Sequence, residues 1–111
     1  MPFEFGDVVL VRFPFTNQLS TKQRPAVIIS KPAYARQRPD IVLMAITSQI
    51  STQHDFADTL LIDWQSANLL KPSAVKPVFA TLEQNLVIKQ LGRLSATDQA
   101  ALKLTIAQVI G

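Results

Sequence analysis

Short apolar runs broken by polar, proline-containing stretches set the pattern of this chain. Asp7–Phe13 (DVVLVRF) is valine-rich and predicts a strand ended by Pro14. Thr16–Gln23 (TNQLSTKQ) is polar and predicts a loop. Pro25–Ser30 (PAVIIS) predicts a second strand, with proline at its first position, where a missing N–H is tolerated. Lys31–Pro39 holds two prolines and predicts a second loop. Asp40–Thr47 (DIVLMAIT) is a nearly continuous apolar run, as in a buried central strand. Phe56–Ile62 predicts a fourth strand, and Asp63–Leu70 one or two helical turns capped by Asp63 and stopped by Pro72. Val75–Thr81 predicts a strand at a sheet edge, because Pro77 interrupts it. Leu86–Gln90 is too short to assign.

The C-terminal segment predicts a helix. Ser95 is a good N-cap, and Asp98 three residues later makes a weaker relative of the capping box. Leu102, Ile106, Val109 and Ile110 then share a face. Parallel crossovers need a dozen or more residues each, more than this strand spacing supplies. The expected fold is therefore β-rich α+β: a mostly antiparallel, strongly curved sheet or small barrel, with the last helix packed on it. The 111 residues suit one domain, 1–111.

Composition narrows the chemistry. The 48% apolar content excludes disorder, and the low 17% charge suggests a surface partly covered by a partner. With no cysteine there is no disulfide and no thiolate site, and one histidine, His54, excludes a multi-histidine zinc centre. No metal or cofactor is expected. No apolar run is long enough to cross a bilayer, and the start, MPFEFGDVV, carries two acids and no basic cluster, unlike a secretory signal. A cytoplasmic protein with no membrane partner is the expectation.

Net charge is +3, and its distribution says more than its sum. No acidic residue occurs from Val8 to Pro39, while Arg12, Lys22, Arg24, Lys31, Arg36 and Arg38 alternate with Phe13, Phe15 and Tyr34. Cations beside aromatic faces suit single-stranded nucleic acid; a solvated basic face over core aromatics fits the composition equally well. Gly-rich phosphate loops, GxSxG and metal-spaced carboxylates are absent from the sequence. Two short motifs remain. In Lys22-Gln23-Arg24-Pro25 an arginine fork at a loop–strand junction suits a phosphate. In Ile46-Thr47-Ser48-Gln49 hydroxyls end an apolar strand, where they either satisfy local backbone or meet a ligand.

In order along the chain, GDVVLVRFPF (Gly6–Phe15), RPAVIIS (Arg24–Ser30), DIVLMAITS (Asp40–Ser48), PSAVK (Pro72–Lys76) and LGRLS with Asp98 downstream resemble the MazF/PemK family of toxin endoribonucleases. The resemblance covers roughly Gly6 to Ile110. It implies an SH3-like barrel related to the CcdB toxins, a homodimer, and metal-independent cleavage of single-stranded RNA. In that reaction the 2′-hydroxyl attacks the adjacent phosphate and leaves a 2′,3′-cyclic phosphate and a 5′-hydroxyl. It also implies a cognate antitoxin that fills the RNA groove, and operator DNA bound only through the toxin–antitoxin complex. The family's arginine matches Arg24 and its strand-end hydroxyl Thr47, which makes these the candidate catalytic residues. Thr16, Asn17, Lys22, Gln23, Ser48 and Lys76 are candidate RNA contacts. His54 titrates near neutral pH and is a candidate acid or base; the proton-transfer roles are otherwise unassigned. The first loop, often glycine-containing in the family, has no glycine here. Trp64, among Leu61, Ile62 and Leu69, reads as a core or dimer anchor. The rival reading is a non-enzymatic module of the same fold that binds a protein target, as a gyrase poison does, or binds RNA without cutting it. An inactive regulatory relative is a third.

Overall fold

The structure is a computed structural model that describes residues 3–12, 23–50 and 58–111. Its strands are β1 (Asp7–Arg12), β2 (Gln23–Ile28), β3 (Asp40–Thr47), β4 (Thr59–Leu60), β5 (Ala74–Glu83) and β6 (Val87–Arg93). Its helices are α1 (Pro32–Gln37) and α2 (Ala96–Val109), and a 3₁₀ turn, Gln84–Leu86, leads into β6. The strands form one sheet in the order β4-β5-β3-β2-β1-β6, with every pair antiparallel. β4 and β6 remain its edges, so the expected barrel is an open, curved sheet.

Apolar residues alternate on the strands and bury both faces. Val8, Val27, Met44, Ile46 and Val75 pack with Leu102 of α2 on one side, and Trp64 and Ile106 close that cluster. Trp64 thus serves the core. On the other side Val9, Val11, Ile28, Ile41 and Leu43 are fully buried, and the groups packed on them are Phe3, Ala80, Leu82 and Val87. These come from β5, β6 and the segment before β1, not from a helix. The sheet must curl on that side to exclude water from its own strands.

Several expectations need correction. Residues 31–39 are not all loop: Pro32 takes the first position of α1, where its missing N–H costs nothing and its fixed φ suits the helix. β5 is not an edge strand. It lies between β3 and the two-residue β4, and Pro77 is accommodated by a bulge. There Ala45 alone on β3 faces Lys76, Pro77 and Val78, between the pairs Met44↔Phe79 and Ile46↔Val75. Residues 63–70 form consecutive turns rather than a helix. Ser66, Ala67 and Asn68 N–H each donate three residues back, and Asn68 then turns left-handed (φ 61°).

Ser95 caps α2 as expected, accepting from the Asp98 N–H at 3.2 Å. The Asp98 carboxylate does not complete the box. It is fully buried and accepts from the N–H groups of Ile62 (3.0 Å) and Asp63 (2.9 Å). Asp63 is therefore a residue whose backbone is capped, not a cap. Leu102 and Ile106 face the core, whereas Val109 and Ile110 at the end of α2 are exposed. Among the described residues the fourth strand is Thr59–Leu60; Phe56 and Ala57 lie outside the described residues, as does Phe13.

Candidate functional site

The arginine–proline step at the start of β2 has a geometric consequence. Backbone groups along a strand alternate between its two neighbours. The Ile29 N–H donates to the Val42 carbonyl (2.9 Å), and the Ile28 carbonyl accepts from the Gly6 N–H (2.8 Å). Odd positions here therefore address β3 and even positions address β1. Pro25 is odd, so the N–H it lacks would point at β3, toward Ile46. The β2–β3 pairing ends at Ala26↔Ala45, although β2 itself continues back to Gln23 along β1. Extended by two residues, that register would set Arg24 against Thr47.

Where the ladder stops, a cleft of ≈ 720 Å³ opens. Gln23, Arg24, Thr47 and Ser48 line one side of it, at the start of β2 and the end of β3. The Thr47 Oγ1 accepts from the Gln49 N–H (3.1 Å), which orients the hydroxyl and leaves its own proton to donate. Asn68, Leu70 and Lys71 of the turn and Lys89 of β6 line the cleft as well. The ionisable side chains of this lining are Arg24, Lys71 and Lys89, all cations, so among the described residues the cleft attracts an anion.

The cleft thus brings together four of the residues singled out in the sequence: Gln23, Arg24, Thr47 and Ser48. Lys76 sits at the β5 bulge and is not part of the lining. Thr16, Asn17, Lys22 and His54 lie outside the described residues. Asn68, Leu70, Lys71 and Lys89 were not anticipated. The only trace of them in the sequence is a leucine–lysine pair ahead of the turn-stopping Pro72. Among the described residues no three His, Cys, Asp or Glu side chains gather as metal ligands, and no helix is long and apolar enough to cross a membrane.

Residues 4–110 match the model of the PemK-like, MazF-like toxin of type II toxin-antitoxin systems. The chain belongs to this family. No curated sequence relative matches it. Solved structures resemble this PemK/MazF-family chain in fold at low identity. One is an endoribonuclease in complex with its cognate antitoxin from Mycobacterial species, at 16% identity and TM-score 0.79, covering 98% of this chain and 95% of that one. A second is MazE–MazF from Deinococcus radiodurans, at 16% identity and TM-score 0.76, covering 100% and 97%. A third is the Mycobacterium tuberculosis toxin MazF-mt6, at 17% identity and TM-score 0.73, covering 92% and 93%. The six-stranded sheet with its C-terminal helix matches the fold of these structures.

Proposed function

We propose that this chain is the toxin of a type II pair and a metal-independent endoribonuclease that cuts single-stranded RNA in the cytoplasm. The observation that carries the reading is the shared cleft of Arg24 and Thr47, lined with cations and, among the described residues, free of carboxylates. A phosphodiester bound there would meet a guanidinium fork from one strand and a hydroxyl donor from the next.

The reaction forms a bond from the ribose 2′-oxygen to phosphorus and breaks the bond to the 5′-oxygen. Negative charge grows on the non-bridging oxygens, where the Arg24 guanidinium stabilises it, a contribution of about 100- to 1,000-fold in rate for one such donor. Thr47 donates to the phosphate or orients the 2′-hydroxyl. A guanidinium offers donors and no acceptor, so Arg24 does not take the 2′-proton. That proton passes to water, and water returns one to the departing 5′-oxygen. Gln23 and Ser48 contact the RNA beside the phosphate, with Thr16, Asn17 and Lys22 from the sequence that precedes β2. The relatives solved with an antitoxin support a cognate antitoxin as partner; a homodimer, and operator DNA reached through the antitoxin complex, belong to the same proposal.

The test is purified protein and a long single-stranded RNA in EDTA, with the ends mapped. Discrete fragments with 5′-hydroxyl ends and 2′,3′-cyclic phosphates are expected. Intact RNA would refute the nuclease and favour a binding module.

A further inference from the structure

Leu70 is 93% exposed, the most exposed large apolar side chain among the described residues, and it lines the cleft. A leucine held in water at the rim of a charged cleft does nothing for the core. The turn that carries it is nevertheless fixed at four points. Asn68, in its left-handed conformation, donates from Nδ2 to the Leu91 carbonyl on β6 (2.6 Å). Gly92 lets the turn lie directly on β6, where a Cβ would stand 2.6 Å from the Ala67 carbonyl oxygen. The buried Asp98 carboxylate holds the start of the turn through the Ile62 and Asp63 N–H groups. Leu69 anchors the other end in the core. Leu70 is thus an exposed apolar group on a preorganised support.

Its neighbours in the cleft identify the occupant. Lys71 follows it on the turn, and Lys89 reaches the same cleft from β6. An apolar platform flanked by two cations matches one nucleotide: an unstacked base over the leucine and a phosphate at the lysines. We infer that Leu70, Lys71 and Lys89 form a nucleotide subsite, separate from Arg24 and Thr47, that holds a base and phosphate next to the cut bond of single-stranded RNA. The subsite rests on the ribonuclease reading, because it positions the strand that Arg24 acts on. Leu70 gives shape and apolar contact rather than hydrogen bonds, so it favours an unpaired base without selecting among the four.

The test is equilibrium binding of an uncleavable single-stranded RNA, carrying a 2′-deoxy nucleotide at the mapped cut site, to the full chain. Covering half of an exposed leucine is worth about tenfold in affinity, so Leu70→Ala should weaken binding by about that factor. Leu70→Phe, which keeps an apolar surface of similar reach, should restore it. Lys71→Ala with Lys89→Ala should weaken binding further and flatten its salt dependence by roughly the slope of one phosphate contact, about 0.7 in log–log units. Thermal melting of all three variants should match the parent, since none of these side chains is buried. Binding unchanged in both Leu70→Ala and the double lysine variant overturns the subsite and leaves the nuclease standing. A parent protein that binds no RNA overturns both. Loss of affinity only for an acidic antitoxin peptide, or only for self-association, reassigns the surface and overturns the nucleotide.

Discussion

Arg24 and Thr47 lie on one register line of the sheet, two residues beyond its last β2–β3 pair, Ala26 and Ala45, so that a guanidinium and a hydroxyl flank the same opening from adjacent strands. Neither reaches the cleft from a flexible tip. Arg24 is still paired to Val11 of β1, and Thr47 to Ala74 of β5. Each is held from its outer side and free on its inner side, which is how a site stays rigid and open at once.

Arg24→Ala should lower RNA cleavage by about 100- to 1,000-fold, the usual loss for one donor to a developing oxyanion. The side chain is exposed and outside both apolar clusters, so the melting temperature should hardly move. Parental cleavage by this variant would remove Arg24 from the mechanism.

Pro25→Ala supplies the N–H that β2 withholds from Ile46. The ladder should then extend by one hydrogen bond and narrow the cleft at Arg24. Stability should stay within about 1 kcal/mol, because the added bond is offset by greater freedom of the unfolded chain. Cleavage should fall by about tenfold or more through misplacement of the guanidinium. Slow hydrogen exchange at the new amide of residue 25 would show the closure directly, and a fast-exchanging amide would contradict it.

Asp98→Ala leaves the Ile62 and Asp63 N–H groups without their acceptor in a buried site. A loss of about 3 kcal/mol is expected from urea denaturation. Asp98→Asn keeps the shape and one acceptor oxygen but turns an NH₂ donor toward the other N–H, and should cost about 2 kcal/mol. An Asp98→Asn variant as stable as the parent would mean that the side chain matters for its packing and not for its acceptors.

Gly92→Ala places a methyl against the Ala67 backbone rather than against a movable side chain. The turn must lift from β6, at about 1–3 kcal/mol. Because that turn bears Leu70 and Lys71, RNA affinity should drop alongside the melting temperature. A variant that melts early yet binds RNA normally would separate the turn from the site.

The pattern of side chains along the chain was enough for the elements that bury the most. Asp40–Thr47 is apolar at almost every position because both of its faces are covered, and the strand has the bounds its sequence implies. The Ser95 cap and the start of α2 were legible for a related reason: capping is chemistry between residues three apart. Arg24 and Thr47 stand out as motifs in the sequence, and the structure puts both in the lining of one cleft.

Tertiary structure decided the rest, because the deciding contacts join residues far apart. The Asp98 carboxylate could serve its own helix or a distant backbone, and only packing brought the Ile62 and Asp63 N–H groups, 36 and 35 residues away, within its reach. Pro77 reads as an edge signal until a bulge absorbs it. Proline at position 25 announces a missing N–H but not its direction. Which neighbour loses the bond depends on which strands flank β2, and that choice is what opens the cleft. Lys71 and Lys89 have no motif; the turn that Asn68 and Gly92 hold against β6 carries Lys71 to the cleft that Lys89 of β6 also lines. Local pattern determined which segments are strands and helices, since burial and capping act over a few residues; the site's second wall came from long-range packing, which no local pattern encodes.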